Sequence, residues 1–145
     1  MNSSLNVRLQ NRLLVAELLD EFTFRSDAGE SVADLFHEEA VFETPKGQIK
    51  GREAIASLFL SSSQNRAQAG RRSRHATFNV RIREIGGGRL EVSSSLLALA
   101  IEPGDVGNAI LWGDQQDIVV MSASGSMQFL HRRMTPALTL STGAK

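Results

Sequence analysis

The chain has 145 residues, with 16 basic and 16 acidic side chains, three histidines and no cysteine. That length suits one domain around one core. Balanced charge argues against nucleic acid or an anionic membrane as a partner, and the missing thiols exclude disulfides, thiolate nucleophiles and cysteine metal sites together. The N-terminal stretch scatters charges and lacks a long apolar run, so no membrane span is expected and the expected location is cytoplasmic.

Leucines and phenylalanines from Leu9 to Phe24 form a broad apolar face, which predicts a long helix over Leu5–Arg25. Asn2, Ser3 or Ser4 can cap its start, and Gly29 stops it. A short second helix is expected over Ser31–Phe36. Ala40–Thr44 reads as a strand and Pro45–Gly47 as a turn. Gly51 opens a third helix over Arg52–Ala67, with Ile55, Leu58 and Phe59 at helical spacing. Its polar tail, SSSQNRAQAGRRS, is expected to fray into a surface loop.

Everything after Arg72 reads as sheet. His75–Ile85 alternates, with Ala76, Phe78, Val80 and Ile82 on one face and His75, Thr77, Asn79, Arg81 and Arg83 on the other. A triglycine at Gly86–Gly88 turns into the long strand Arg89–Ile101, whose apolar end suits burial on both faces or a subunit interface. A loop is expected at Glu102–Asn108. The strands Ala109–Met121 and Met127–Met134 follow, and the tail 136–145 is expected to be flexible. Helices first and hairpin strands afterwards give α+β.

The run Phe36, Ala40, Val41, Pro45, Gly47, Gly51-Arg52-Glu53-Ala54-Ile55 resembles the nuclear transport factor 2-like superfamily, and within it the SnoaL-like and ketosteroid-isomerase-like proteins. The resemblance spans roughly Leu9 to Arg133. It implies three N-terminal helices packed in a strongly curved, mostly antiparallel sheet that forms a cone-shaped pocket. It also implies a single domain over 1–145, ordered roughly over 5–135, that takes a small apolar ligand and forms a homodimer. The superfamily hosts many chemistries, so fold alone does not give function.

Ketosteroid isomerases place a tyrosine on the first helix, a base on the first strand and a second acid on a later strand. Here the matching positions hold Phe22, Thr44 and Asp117. Neither a phenyl ring nor a threonine can do the required work, so that reaction is rejected. Asp117 remains the first catalytic candidate. It sits where SnoaL-like proteins carry a G-x-Y-x-D pattern, with Gln115 in the tyrosine place. A carboxylate facing an apolar cone would have a raised pKa and could act as acid or base; alternatively it pairs with Arg132 or Arg81.

His75 and Asn79 form a second constellation. Arg-His followed by Asn four residues on resembles SnoaL-like proteins and the small subunits of ring-hydroxylating dioxygenases. Even spacing puts both on one strand face, and His75 is the second catalytic candidate. The alternation, however, sends it away from the core face, and a structural histidine is the competing reading. Asp27 closes the first helix, where the dipole disfavours it, so it either bonds loop amides or acts as a rim acid. Phe22, Asp27, Phe42, Phe59, Asn79 and Arg132 are the expected pocket residues, with Leu13 and Phe78 further lining the cone. No histidine spacing suits a metal, and no cofactor is expected.

Two functions stand side by side. One is a cofactor-free acid–base enzyme of isomerase, dehydratase or cyclase type acting on an apolar or polyketide-like compound. The other is a non-catalytic assembly or binding subunit. An inward Asp117 near His75 in an enclosed apolar cavity favours the first; Asp117 locked to Arg132, or a cavity filled by side chains, favours the second.

Overall fold

The computed structural model describes residues 3–103 and 107–143. Among these residues two α-helices, α1 (Ser3–Ala28) and α2 (Arg52–Gln68), pack against one six-stranded sheet. The strands are β1 (Phe36–Thr44), β2 (Gly47–Lys50), β3 (Arg72–Gly86), β4 (Arg89–Ile101), β5 (Gly107–Met121) and β6 (Met127–Gly143). Their order is β2-β1-β6-β5-β4-β3. Only the β1–β6 pairing is parallel; the other four are antiparallel, so the sheet is mixed.

The expected α+β class holds, but the expected second helix does not form. Only Ala33–Leu35 turn, as a single 3-10 turn, and Phe36 already opens β1. Val32, Leu35 and Phe36 are buried there, so their apolar spacing records a chain reversal sealed against the core. Helices α1 and α2 cover the predicted spans with one to three residues added at the ends. Strand β6 runs well past the expected end, through Pro136, and pairs with β5 as far as Gly107↔Gly143. Residues 104–106 of the expected loop Glu102–Asn108 and the capping candidate Asn2 lie outside the described residues.

The Gly51-Arg52 pair shows why that stretch reads so distinctively. Gly51 sits at φ 91°, a left-handed region that suits glycine. Its N–H donates to Ala40 O at 2.8 Å, and the Arg52 guanidinium Nε donates to Phe36 O at 2.7 Å. The start of α2 is thereby fastened to both ends of the inner part of β1.

The core lies between the helices and one face of the sheet. Val15, Leu18, Leu19 and Phe22 of α1 meet Val92 of β4, Val119 of β5 and Phe129 of β6, with Ile55 of α2 closing the cluster. Full burial of each large apolar side chain is worth about 1.5–3 kcal/mol. At its centre Phe22 makes edge contacts with Phe36, Phe59 and Phe129 at centroid distances of 5.9, 5.0 and 5.7 Å.

Candidate active site

The aromatic cluster does not close completely. Between the C-terminal half of α1, the middle of α2 and the sheet lies a cavity of about 190 Å3. Phe22, Phe42, Phe59, Leu96 and Met134 form its apolar wall, and Ser26, Arg66, His75, Gln115 and Arg132 are polar members. The helical positions follow from periodicity: Phe22 and Ser26 are four apart on α1, and Phe59, Ser62 and Arg66 fall on one face of α2. Leu13 is instead 71% exposed, and Phe78 packs against Trp112 away from the cavity.

His75 reaches the cavity because β3 carries a bulge. The β3–β4 register slips between Phe78 and Arg81, and Asn79 adopts φ 55°. An inserted residue reverses the alternation. Ser73, His75 and Thr77 therefore face inward before the bulge, and Val80 and Ile82 pack on the core after it. The uniform alternation expected from the sequence is corrected accordingly: Phe78 does not share a face with Val80 and Ile82. Asn79, expected in the pocket beside His75, is exposed on the bulge and is not on the cavity wall.

Asp27 at the end of α1 holds His75 in place. Its Oδ1 lies 2.5 Å from His75 Nδ1, and its Oδ2 accepts the His75 backbone N–H at 2.9 Å. Ser73 Oγ donates to the same carboxylate at 3.5 Å. These donors explain a carboxylate at an otherwise unfavourable helix end. With Nδ1–H committed to Asp27, the lone pair of a neutral His75 resides on Nε2.

Arg132 forms another wall. Its guanidinium carbon lies 4.2 Å from the Phe22 ring centroid and 4.3 Å from that of Phe129. Two aromatic faces help a buried cation tolerate the loss of water. Its Nε is 3.5 Å from Asp117 Oδ1. Both terminal nitrogens, Nη1 and Nη2, are buried with no hydrogen-bond partner among the described residues. Ser26 Oγ is in the same condition.

Asp117 itself is 1% exposed and is not on the cavity wall. Burial pushes its carboxyl up from 3.8 to about 6, against the opposing pull of the Arg132 charge. Burial likewise lowers Arg132, and Asp117 counters that shift. The sequence placed Asp117 first and His75 second, with Asp27 at the rim. The structure brings Asp27, His75 and Arg132 together at the cavity and sets Asp117 against Arg132. An Asp117 set against Arg132 and off the cavity wall is the arrangement that favours the assembly or binding reading. The sequence reading missed Ser26 and Arg66. The signal for both was helical spacing from Phe22 and Phe59.

Among the described residues no group of three or more His, Asp or Glu side chains could hold a metal ion, and no helix is long and apolar enough to cross a membrane.

A family model for the SnoaL-like domain matches residues 7–133. Among solved structures, a candidate scytalone dehydratase from Novosphingobium aromaticivorans is 20% identical, with a TM-score of 0.81, covering 97% of this chain and 93% of that one. The hexachlorocyclohexane dehydrochlorinase LinA type 3 from Novosphingobium barchaimii is 14% identical, with a TM-score of 0.80 and coverages of 95% and 94%. A protein of unknown function from Mycobacterium tuberculosis is 20% identical, with a TM-score of 0.78 and coverages of 93% and 76%. No protein of curated function matches the chain in sequence.

Proposed function

This chain belongs to the family of SnoaL-like domains, and we propose that it is a cofactor-free acid–base enzyme carrying out an elimination on a small, mainly apolar cyclic compound. The observation that carries this reading is the Asp27–His75 pair at the wall of an aromatic cavity. A base, a group that orients it and an apolar enclosure are the parts that proton abstraction requires.

Neutral His75 takes a proton from a substrate C–H through Nε2. The C–H electron pair becomes the new C=C bond, and the leaving group departs from the adjacent carbon with its bonding electrons. Asp27 stabilises the imidazolium that results. Where the leaving group is hydroxide, the imidazolium returns the proton and water leaves; where it is a halide, the proton passes to solvent. The unpartnered Nη1 and Nη2 of Arg132 supply donors for the charge that develops. Loss of water and loss of hydrogen chloride, the reactions named for two of the structural neighbours, are both eliminations of this form.

The test is a panel of cyclic β-hydroxyketones and chlorinated cyclohexanes, followed by mass spectrometry and chloride release. Turnover that falls by about 10²–10⁴ in His75→Gln is expected. Turnover by that variant at the wild-type rate would remove His75 as the base.

The second reading, assembly, rests on a separate observation. The outer sheet face exposes Leu99, Ile110, Trp112, Leu138 and Leu140, and the strand registers place Leu99, Ile110 and Leu140 in one row. Such a contiguous apolar face suits a partner, and we propose a homodimer through it. A monomer by light scattering at micromolar concentration would refute that dimer.

A further inference from the structure

The cavity is not the only concavity at the Asp27–His75 pair. A cleft of about 330 Å3 lies where the end of α2 meets the start of β3. It is lined by Arg66, Arg71, Arg72 and Arg74, together with Asp27 and Ser73. Arg66 also lines the aromatic cavity, and Asp27 is bonded to His75 on the cavity wall. The two spaces therefore share a boundary.

The charge of this cleft is strongly one-sided. Arg71 Nε pairs with Glu102 at 2.7 Å, and Arg74 Nη1 donates to Ser73 O. The guanidinium groups of Arg66 and Arg72 make no hydrogen bond or ion pair among the described residues. The one carboxylate on the wall, Asp27, already accepts from the His75 ring, the His75 backbone N–H and the Ser73 hydroxyl. Compensation of the α2 dipole would account for Arg66 in its last turn, but not for Arg72 and Arg74 on β3.

Volume points the same way. The cavity alone, about 190 Å3, is smaller than the roughly 300–1,000 Å3 of ordinary ligand sites. The adjoining cleft brings the space into that range.

We propose that the arginine cleft is an oxyanion subsite, so that the ligand of this protein carries a carboxylate, sulfonate or phosphate beside an apolar body that enters the cavity. This inference rests on the cavity reading above. Arg66, at the shared boundary, and Arg72 contact the oxyanion. Guanidinium groups suit the task because they stay charged and present paired donors to such groups. The tail would also hold the apolar body against His75.

The test uses two dyes that share the same rings. Anilinonaphthalene sulfonate carries the anion, and phenylnaphthylamine lacks it. Fluorescence titration of the wild type is expected to show the sulfonate dye bound about tenfold or more tightly than the neutral one. The double variant Arg72→Gln with Arg74→Gln, at residues that line the cleft and not the cavity, should lose most of that preference and keep its affinity for the neutral dye. Equal binding of both dyes by the wild type, or a preference that survives in the double variant, would overturn the subsite. Failure of both dyes to bind would overturn the cavity reading instead. The cleft is then judged with inorganic phosphate alone: saturable shifts of the Arg66 and Arg72 side-chain Nε–Hε resonances retain an oxyanion site, and their absence overturns it too.

Discussion

Replacing Asp117 by Asn tests whether burial or charge pairing governs the Asp117–Arg132 contact. Two opposing effects meet there. The 3.5 Å approach of Arg132 Nε favours the carboxylate, while complete burial penalises it. Neither carboxylate oxygen has a hydrogen bond among the described residues, so burial wins and the folded-state pKa rises from 3.8 to about 6. The folded protein then binds the Asp117 proton more readily than the unfolded chain does. Stability from this group is fully present below pH 3.8 and is lost as pH rises through about 6. The shift corresponds to about 3 kcal/mol. An asparagine resembles the protonated acid at every pH. The variant should therefore gain about 3 kcal/mol relative to the wild type between pH 4 and pH 8. Urea denaturation of both proteins across that range reads the difference directly. Removing one partner of a well-made buried pair typically costs about 3–5 kcal/mol. A variant whose disadvantage widens as pH rises would show that Arg132 and Asp117 form such a pair, and would refute the reasoning.

The Asp27–His75 pair should behave as a unit: Asp27→Asn and His75→Gln are expected to lower turnover similarly, and the double variant to be little worse than either. A product of the two single effects in steady-state kinetics would separate them. Asp27→Asn should in addition cost about 1–3 kcal/mol in urea unfolding, because Ser73 and the His75 backbone lose a charged acceptor. Phe129→Ala should cost about 3–5 kcal/mol for the cavity it leaves, and part of this should vanish in an Arg132→Met background, where no cation faces the ring. Trp112→Glu on the outer sheet face should convert a dimer to monomer, as seen by light scattering, without changing dye binding in the cavity.

The sequence placed strands and helices well wherever their apolar period was continuous, as over Arg89–Ile101, which β4 reproduces residue for residue. It failed where one residue breaks the period. Ala76, Phe78, Val80 and Ile82 look like a single face, and only the unusual φ of Asn79 divides them. No pattern of hydrophobicity reports a bulge, because the bulge is decided by the pairing of β3 with β4. That one residue also decides the site. Without it, Val80 and Ile82 could stay on the core only by sending His75 to the outer face, away from Asp27. The resemblance to Arg-His-x-x-x-Asn was thus informative for a reason other than a shared face: asparagine tolerates the left-handed region better than most residues. Asn79→Gly should leave the fold intact or stabilise it slightly. Asn79→Val should cost about 1–2 kcal/mol and, by straining the bulge, loosen His75 from Asp27. The His75 imidazole resonances report this independently of turnover. If they are unmoved in Asn79→Val, the bulge does not govern the orientation of the base.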